Sequence, residues 1–420
     1  MVGRISGLFS VLALASAFLY LFVWLHLSVS SFYSIEQSEV AGPAGRILRS
    51  EPIPGAPAGA EAHRILYTSA DATGAPAAVS GVIVIPSSPA PEGGRPVHAW
   101  AHPTSGIADR CAPSVNPDIF EKIKGLKGFL SQGMVVVATD YTGLGTPGPH
   151  PYLVGESAGR AILDSVRAAR RFKGAVAGNR FGMWGYSQGG HGVLFAEAMQ
   201  QSYAPELDLV AVAATAPPTR LGELMRDDLA NLVKPHPGWT KGAMPELLKL
   251  FSEVQDKLLT AYVLASWKSV YGAPMQTVVL PSADHVVDRL AARCAESDLQ
   301  NILIALTSQL EIDHFLHIRD FSTDPWADLI AENTPTSRLP RIPLLITQGT
   351  ADETVQPEIT AEFARTVCEG TTPVTFQWLE GVDHPSAGTA STDAVVSWMG
   401  DRFAGKPPPN MCESLPPSPK

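Results

Sequence analysis

Nucleophilic chemistry is written most plainly in one stretch, Gly185-Tyr186-Ser187-Gln188-Gly189. Phe181 to Trp184 before it reads as the end of a buried strand, and Val193, Leu194, Phe195 and Met199 after it have helical spacing. A serine on a sharp strand-to-helix turn has its hydroxyl lifted clear of the sheet, and glycines two before and two after leave room for that backbone. The amide of the next residue, Gln188, points at the same spot. The helix N-terminus adds partial positive charge there, which suits a developing oxyanion. Alone, G-x-S-x-G is a common Gly/Ser turn; between a strand and a helix, with partners downstream, it carries chemistry.

A serine needs a base, and the base needs an orienting carboxylate. On a sheet of this kind the order along the chain is Ser, then Asp or Glu, then His, each partner on a loop after a late strand. The strand Ile342–Gln348 leads to Asp352, and the strand Val374–Leu379 leads to His384, so Ser187, Asp352 and His384 are the expected triad. Against this, Asp352 also suits a plain turn, and Glu353 is the fallback acid. His191 lies one helical turn past Ser187 and is expected to pack or hydrogen-bond. Asp383 reads as a loop carboxylate. The second oxyanion donor belongs on the loop after an early strand, here His102-Pro103-Thr104-Ser105-Gly106 after Val97–Ala101. Pro103 has no N–H, which leaves the Thr104 amide, with Ser105 behind it. Asp140 and Tyr141 end a strand at the same rim and shape the site or serve structure.

The elements that must position these groups alternate. Strands Arg64–Ser69 and Ala78–Pro86 are followed by Val97–Ala101, a helix over Phe120–Ser131, the strand Met134–Asp140, a helix over Gly159–Phe172, the Ser187 strand and its helix, and the strand Leu209–Thr215. Continuous apolar runs such as Met134–Ala138 mark strands covered on both faces. The expectation is an α/β fold, a mostly parallel sheet flanked by helices. From 216 to 335 the pattern turns helical (Leu221–Val233, Pro245–Ser266, Gln300–Leu316), which reads as a cap or lid insertion. Sheet pattern returns with Ile342–Gln348, the helix Pro357–Cys368, Val374–Leu379 and a last helix Ala390–Phe403. The expected segments are therefore 1–33, an extended Gly/Pro-rich lead-in at 34–62, core at 63–215, cap at 216–335, core at 336–405 and a Pro-rich tail at 406–420.

Four cysteines, Cys111, Cys294, Cys368 and Cys412, permit three disulfide connectivities, and no C-x-x-C or His-rich spacing supports a metal site. Leu8 to Leu25 is almost unbroken apolar sequence behind Arg4. That segment is long for a signal peptide and just long enough to span a membrane, so the rest is expected to be exported, either freed after cleavage near Ser28–Ser30 or anchored through residues 8–25. A net charge of −10 argues against nucleic acid as a partner. At 420 residues with 45% hydrophobic content, the chain can bury a large core.

With these residues assembled, the chain resembles the secretory lipases of the α/β-hydrolase superfamily, the lipase A-like group and its actinobacterial relatives. The resemblance rests on Trp100-Ala-His-Pro-Thr-Ser-Gly106, Cys111-Ala-Pro-Ser114, Asp140-Tyr-Thr-Gly-Leu-Gly-Thr146, Gly185 to His191, Gln348-Gly-Thr-Ala-Asp352 and Asp383-His384, and it runs from about Gly45 to Cys412. Relatives more often have His-Gly-Thr where this chain has His102-Pro103-Thr104. The resemblance implies the Ser187, Asp352 and His384 triad, a helical lid, and disulfides Cys111–Cys294 and Cys368–Cys412, the second contributing about 3–4 kcal/mol in the chain-entropy model. It implies hydrolysis of carboxylic esters, commonly acylglycerols; the triad mechanism that follows runs through an acyl-enzyme and needs no metal or organic cofactor, and the helical insertion leads to the expectation that the rate rises at a lipid–water interface. Two other readings stay beside it: an envelope acyltransferase with the same triad, and a non-catalytic binding protein on the same fold, which filled triad positions disfavour.

Overall fold

The computed structural model describes residues 31–225, 258–295 and 321–417, apart from positions 322, 338 and 416. Among the described residues, nine strands form one sheet in the order β1-β2-β3-β5-β4-β6-β7-β8-β9. Strands β1 (Ile47–Pro52), β2 (Ala60–Ala70) and β3 (Pro76–Pro86) pair antiparallel, and β3 runs antiparallel to β5 (Val135–Thr142). From there β4 (Arg95–Ala101), β6 (Ala177–Tyr186), β7 (Asp208–Thr215), β8 (Leu344–Gly349) and β9 (Val374–Leu379) are all parallel. Parallel pairing needs crossover connections, and helices between the strands supply them.

The short helices α1 (Ile119–Lys122) and α2 (Leu126–Ser131) lie between β4 and β5, and α3 (Gly155–Arg171) lies between β5 and β6. Helix α4 (Gln188–Tyr203) links β6 to β7. Ile162, Val166 and Ala169 of α3 join Val193, Leu194 and Ala196 of α4 in one core against Val97, Val137, Phe181 and Val212 of the sheet. The opposite face is covered by Phe129 of α2 with Val395, Trp398 and Met399, packed on Val136, Trp184 and Ala213. Because β4, β6 and β7 are covered on both sides, their inner stretches, such as Phe181–Trp184 and Leu209–Ala214, run apolar rather than alternating.

Between β7 and β8 the described elements are helical. Residues 221–225 form a helical turn, followed by α5 (258–271), α6 (Asp284–Ala291) and α7 (Trp326–Glu332). They build a second core in which Leu258, Leu264 and Trp267 meet Val287, Leu290 and Trp326, with Tyr152 and Val154 of the main body included. The helices expected at Leu221–Val233 and Pro245–Ser266 are described only from 221 to 225 and from 258. The one expected at Gln300–Leu316, like the apolar segment 8–25, lies outside the described residues. Among the described residues no helix is long and apolar enough to cross a membrane.

Three local expectations are corrected. The lead-in at 34–62 holds a sheet strand, β1, paired with β2 from Ile47↔Tyr67 to Pro52↔His63. As an edge strand it buries little and carries Arg49, Ser50 and Glu51, so no apolar run announces it. The single helix expected over Phe120–Ser131 is two, because Gly125 turns through a positive φ of 71°. After α8 (Pro357–Val367), a short unexpected helix, α9 (His384–Ala390), precedes the expected last one, which is α10 (Thr392–Phe403); His384 therefore opens a helix instead of sitting in a free loop.

Both implied disulfides are formed. Cys111–Cys294 joins the loop after β4 to the segment after α6, and Cys368–Cys412 ties the C-terminal tail to the end of α8. The tail is otherwise irregular and is hydrogen-bonded along β9, for example by Met411 N–H to the Val374 carbonyl at 2.7 Å, Thr375 Oγ1–H to the Pro409 carbonyl at 2.8 Å and Trp378 Nε1–H to the Pro417 carbonyl at 3.0 Å. Replacing both Cys368 and Cys412 by serine is expected to lower the unfolding free energy by about 3–4 kcal/mol in the chain-entropy model. Urea titration checks this, with an unchanged midpoint as the contrary result.

Candidate active site

Strand β6 ends at Tyr186 and α4 begins at Gln188, so Ser187 alone makes the turn, with φ 54° and ψ −119°. A non-glycine side chain at positive φ is strained, and the neighbours must allow it. They do so by lacking side chains. A Cβ on Gly185 would lie 2.0 Å from the Gly189 carbonyl oxygen, and one on Gly189 would lie 1.9 Å from that of Ala101. The elbow is held by Ser187 N–H to the Thr215 carbonyl at 2.9 Å and by His191 N–H to the Ser187 carbonyl at 3.1 Å. Ser187 keeps partial exposure.

Strands β8 and β9 are neighbours, so the loops at their ends meet. Thr350 N–H donates to the Leu379 carbonyl at 3.0 Å and Ala351 N–H to the Val382 carbonyl at 3.1 Å. This brings His384 Nδ1 to 2.8 Å from Asp352 Oδ2, while His384 Nε2 lies 2.9 Å from Ser187 Oγ. Asp352 Oδ1 accepts from the amides of Thr354 (3.0 Å) and Val355 (2.8 Å), and Oδ2 also accepts from Gln348 Nε2 at 3.1 Å. These donors fix the carboxylate's orientation, and its Oδ2, as the acceptor facing Nδ1, selects the imidazole tautomer with the proton on Nδ1. Nε2 is then free to accept the serine proton. His384 and Asp352 are both buried, and the Tyr186 hydroxyl donates to the His384 carbonyl.

On the other side of Ser187, the Ala101–His102 backbone runs against the first turn of α4, as the close approach to Gly189 requires. The His102 ring lies between the carbonyl oxygens of Pro103 (2.6 Å) and Asp140 (3.3 Å). The Tyr141 hydroxyl donates to the His102 carbonyl at 3.0 Å. Asp140 itself is turned inward: it accepts from Ser114 N–H at 2.9 Å, from the Ser114 hydroxyl and from the Ser80 hydroxyl at 2.6 Å. Asp140 and Tyr141 thus brace the loop without entering the site. Thr104 bonds the Tyr152 hydroxyl at 2.9 Å, whereas the Ser105 carbonyl accepts from Ala295 N–H at 2.9 Å, which directs Ser105 toward the Cys294 disulfide.

Of the residues picked from the sequence, Ser187, His384 and Asp352 come together, and Gln188 and the Thr104 loop flank them. Glu353 is exposed and makes no part of the group. His191 is buried with Nε2 2.8 Å from the Asn333 carbonyl, and Asp383 caps α9 by accepting from Ser386 N–H at 3.1 Å. Sequence reasoning missed the support beneath. Gln348 is clamped by Thr360 (2.8 Å to its Oε1) and the Val355 carbonyl (2.9 Å), which aims its amide at Asp352. A buried chain runs from Trp184 Nε1 to Thr215 (3.0 Å), Thr347 (2.8 Å) and Ser391 (2.8 Å), locking β6, β7, β8 and the α9–α10 junction in register. The only signal for it was a threonine late in each of two otherwise apolar strands.

Residues 122–232 and 276–410, more than half of the chain, match the family described as Secretory lipase. The chain belongs to the secretory lipase family. Full-length relatives include the probable inactive lipase MT1628 of Mycobacterium tuberculosis, 24% identical over 86% of this chain and 79% of that one. Lipase 10 of Candida albicans is 23% identical over 92% of this chain and 83% of its own length. Among solved structures, Candida antarctica lipase A superposes with a TM-score of 0.73 at 18% identity, covering 93% of this chain and 89% of that one. The fold of this secretory lipase family member is therefore the α/β-hydrolase fold, a mostly parallel nine-stranded sheet with flanking helices.

Proposed function

We propose that the protein is an exported serine hydrolase of carboxylic esters, a triacylglycerol lipase or carboxylesterase. One relative is named inactive, so family membership alone is a weak argument for activity. The observation that carries the reading is the unbroken hydrogen-bonded line from Ser187 Oγ through His384 to Asp352, with 2.9 and 2.8 Å links. In this reading Ser187 attacks the ester carbonyl while His384 Nε2 takes its proton, and Asp352 stabilises the imidazolium that forms. The oxyanion is held by the amide of Gln188 at the start of α4 and by that of Thr104. His384 protonates the leaving alcohol, and water repeats the cycle on the acyl-serine.

The segment 216–335 forms a cap in this reading, supported by its helical elements and its separate core against Tyr152 and Val154. Export through residues 8–25, as signal peptide or anchor, is supported by that apolar run and by two disulfides, which persist in oxidising compartments. The test is hydrolysis of p-nitrophenyl esters of graded chain length, with a fluorophosphonate as label for Ser187. Turnover with stoichiometric labelling is expected. A folded protein that neither hydrolyses any ester nor takes the label would end the proposal.

A further inference from the structure

His150, Pro151 and Tyr152 lie on the loop between β5 and α3, and none of the steps above uses them. The His150 ring is buried between two neutral partners. Nδ1 lies 2.8 Å from the Thr142 carbonyl, to which it must donate, and this leaves Nε2 to accept from the Gln188 side-chain amide at 2.9 Å. Burial pushes the imidazole down to about 3, so it is neutral and keeps this polarity throughout the working range of an ester assay. Two residues on, the Tyr152 hydroxyl meets the Thr104 hydroxyl at 2.9 Å. The side chains gripped by this one strap thus belong to the two residues whose amides face the oxyanion in the proposed reaction.

The strap is held from behind by the segment inserted between β7 and β8. Ser266 of α5 accepts from Tyr152 N–H at 2.8 Å and donates to the His150 carbonyl at 2.9 Å. Trp267 Nε1–H donates to the Tyr152 carbonyl at 3.1 Å. Three polar backbone atoms of the strap are therefore bound by two successive residues of one helix. Oxyanion donors act only when preorganised, and a displacement of about 1 Å costs on the order of 100-fold in rate. A strap anchored on α5 at one end and on Gln188 and Thr104 at the other supplies that rigidity.

We propose that His150 and Tyr152 are positioning residues that hold Gln188 and Thr104 in oxyanion-binding geometry and make that geometry depend on the seating of α5. The proposal rests on the reading of Ser187 above and deepens it, because it ties the inserted helical segment to the chemical step as well as to substrate access.

Steady-state kinetics on a soluble short-chain p-nitrophenyl ester test it. His150→Leu is expected to lower kcat on the order of 10- to 100-fold with KM nearly unchanged, the signature of a contact felt only in the transition state. His150→Gln, which keeps an acceptor near the Nε2 position, should recover most of the loss. Gln188→Met should cost about as much as His150→Leu, and the double variant no more than either, since the same contact is lost each way. Ser266→Ala should lower kcat several-fold at constant KM. The proposal fails if His150→Leu keeps the wild-type kcat, if KM alone rises, or if the His150 and Gln188 losses add. Should His150→Leu not fold, Gln188→Met and Ser266→Ala with unchanged kcat would overturn it equally. A wild-type protein that neither turns over nor takes the fluorophosphonate label at Ser187 overturns the reading beneath, which separates the two failures.

Discussion

Ser187→Ala is expected to abolish ester hydrolysis, lowering kcat by about five orders of magnitude, while the protein unfolds within about 0.5 kcal/mol of wild type. The two halves of this result have separate reasons. The hydroxyl is the atom that bonds to the substrate carbon, and neither the His384 base nor the oxyanion amides can replace it. Members of a triad act as a unit, so a small residual rate from binding and oxyanion stabilisation alone is expected over water. Stability is spared because the Ser187 hydroxyl is partly exposed and its hydrogen-bond partner is the imidazole, which a water can satisfy. The elbow itself depends on the backbone, through Ser187 N–H to Thr215 and His191 N–H to Ser187, and alanine keeps both bonds. Initial rates on p-nitrophenyl butyrate, together with a thermal melt, measure both halves. Equal rates for the two proteins would refute the assignment of the nucleophile and favour a binding role on this fold.

The second large effect is at Gly189. A methyl group there would sit 1.9 Å from the Ala101 carbonyl oxygen, 2.5 Å from its carbonyl carbon and 2.9 Å from the His102 carbonyl oxygen. All three neighbours are backbone, and Ala101 is the last residue of β4, paired with Gly185 of β6 in the centre of the sheet. No side-chain rotation relieves such a contact, so α4 or the end of β4 must move by more than an ångström. Gly189→Ala is accordingly expected to destabilise the fold by at least about 3 kcal/mol, at the upper end of overpacking costs. In whatever fraction remains folded, kcat should fall on the order of 100-fold, because the shift separates the Gln188 amide from the Thr104 loop. Urea unfolding and single-turnover rates corrected for folded fraction check the two numbers. A variant of wild-type stability would mean that α4 does not sit against β4 as described.

These two sites also show how legible the molecule was. Gly185, Ser187 and Gly189 could be read directly, because a strained serine between two close backbones accepts almost nothing but glycine at those offsets. Asp352 and His384 could be read because each follows an apolar strand late in the chain, in an order set by sheet topology. The supporting groups could not. Gln348, Thr215, Thr347, His150 and Tyr152 are ordinary residues in sequence, and their roles come from partners 4 to 132 positions away that only the fold brings into hydrogen-bond geometry. The β1 strand was hidden for a related reason: an exposed edge strand has no apolar pattern to betray it.

By itself, then, the amino-acid order determined where strands and helices alternate, which three side chains have the chemistry of an activated nucleophile, and the order in which the sheet must present them. Those are local properties, set by hydrophobic period, backbone sterics and the reach of a turn. Only the tertiary structure decided that the β8 and β9 loops adjoin, that Cys111 pairs with Cys294 and Cys368 with Cys412, and that a buried neutral histidine grips Gln188. Each of these is a distance between residues remote in sequence, and such distances exist only once the sheet has closed its register and brought its carboxyl edge together.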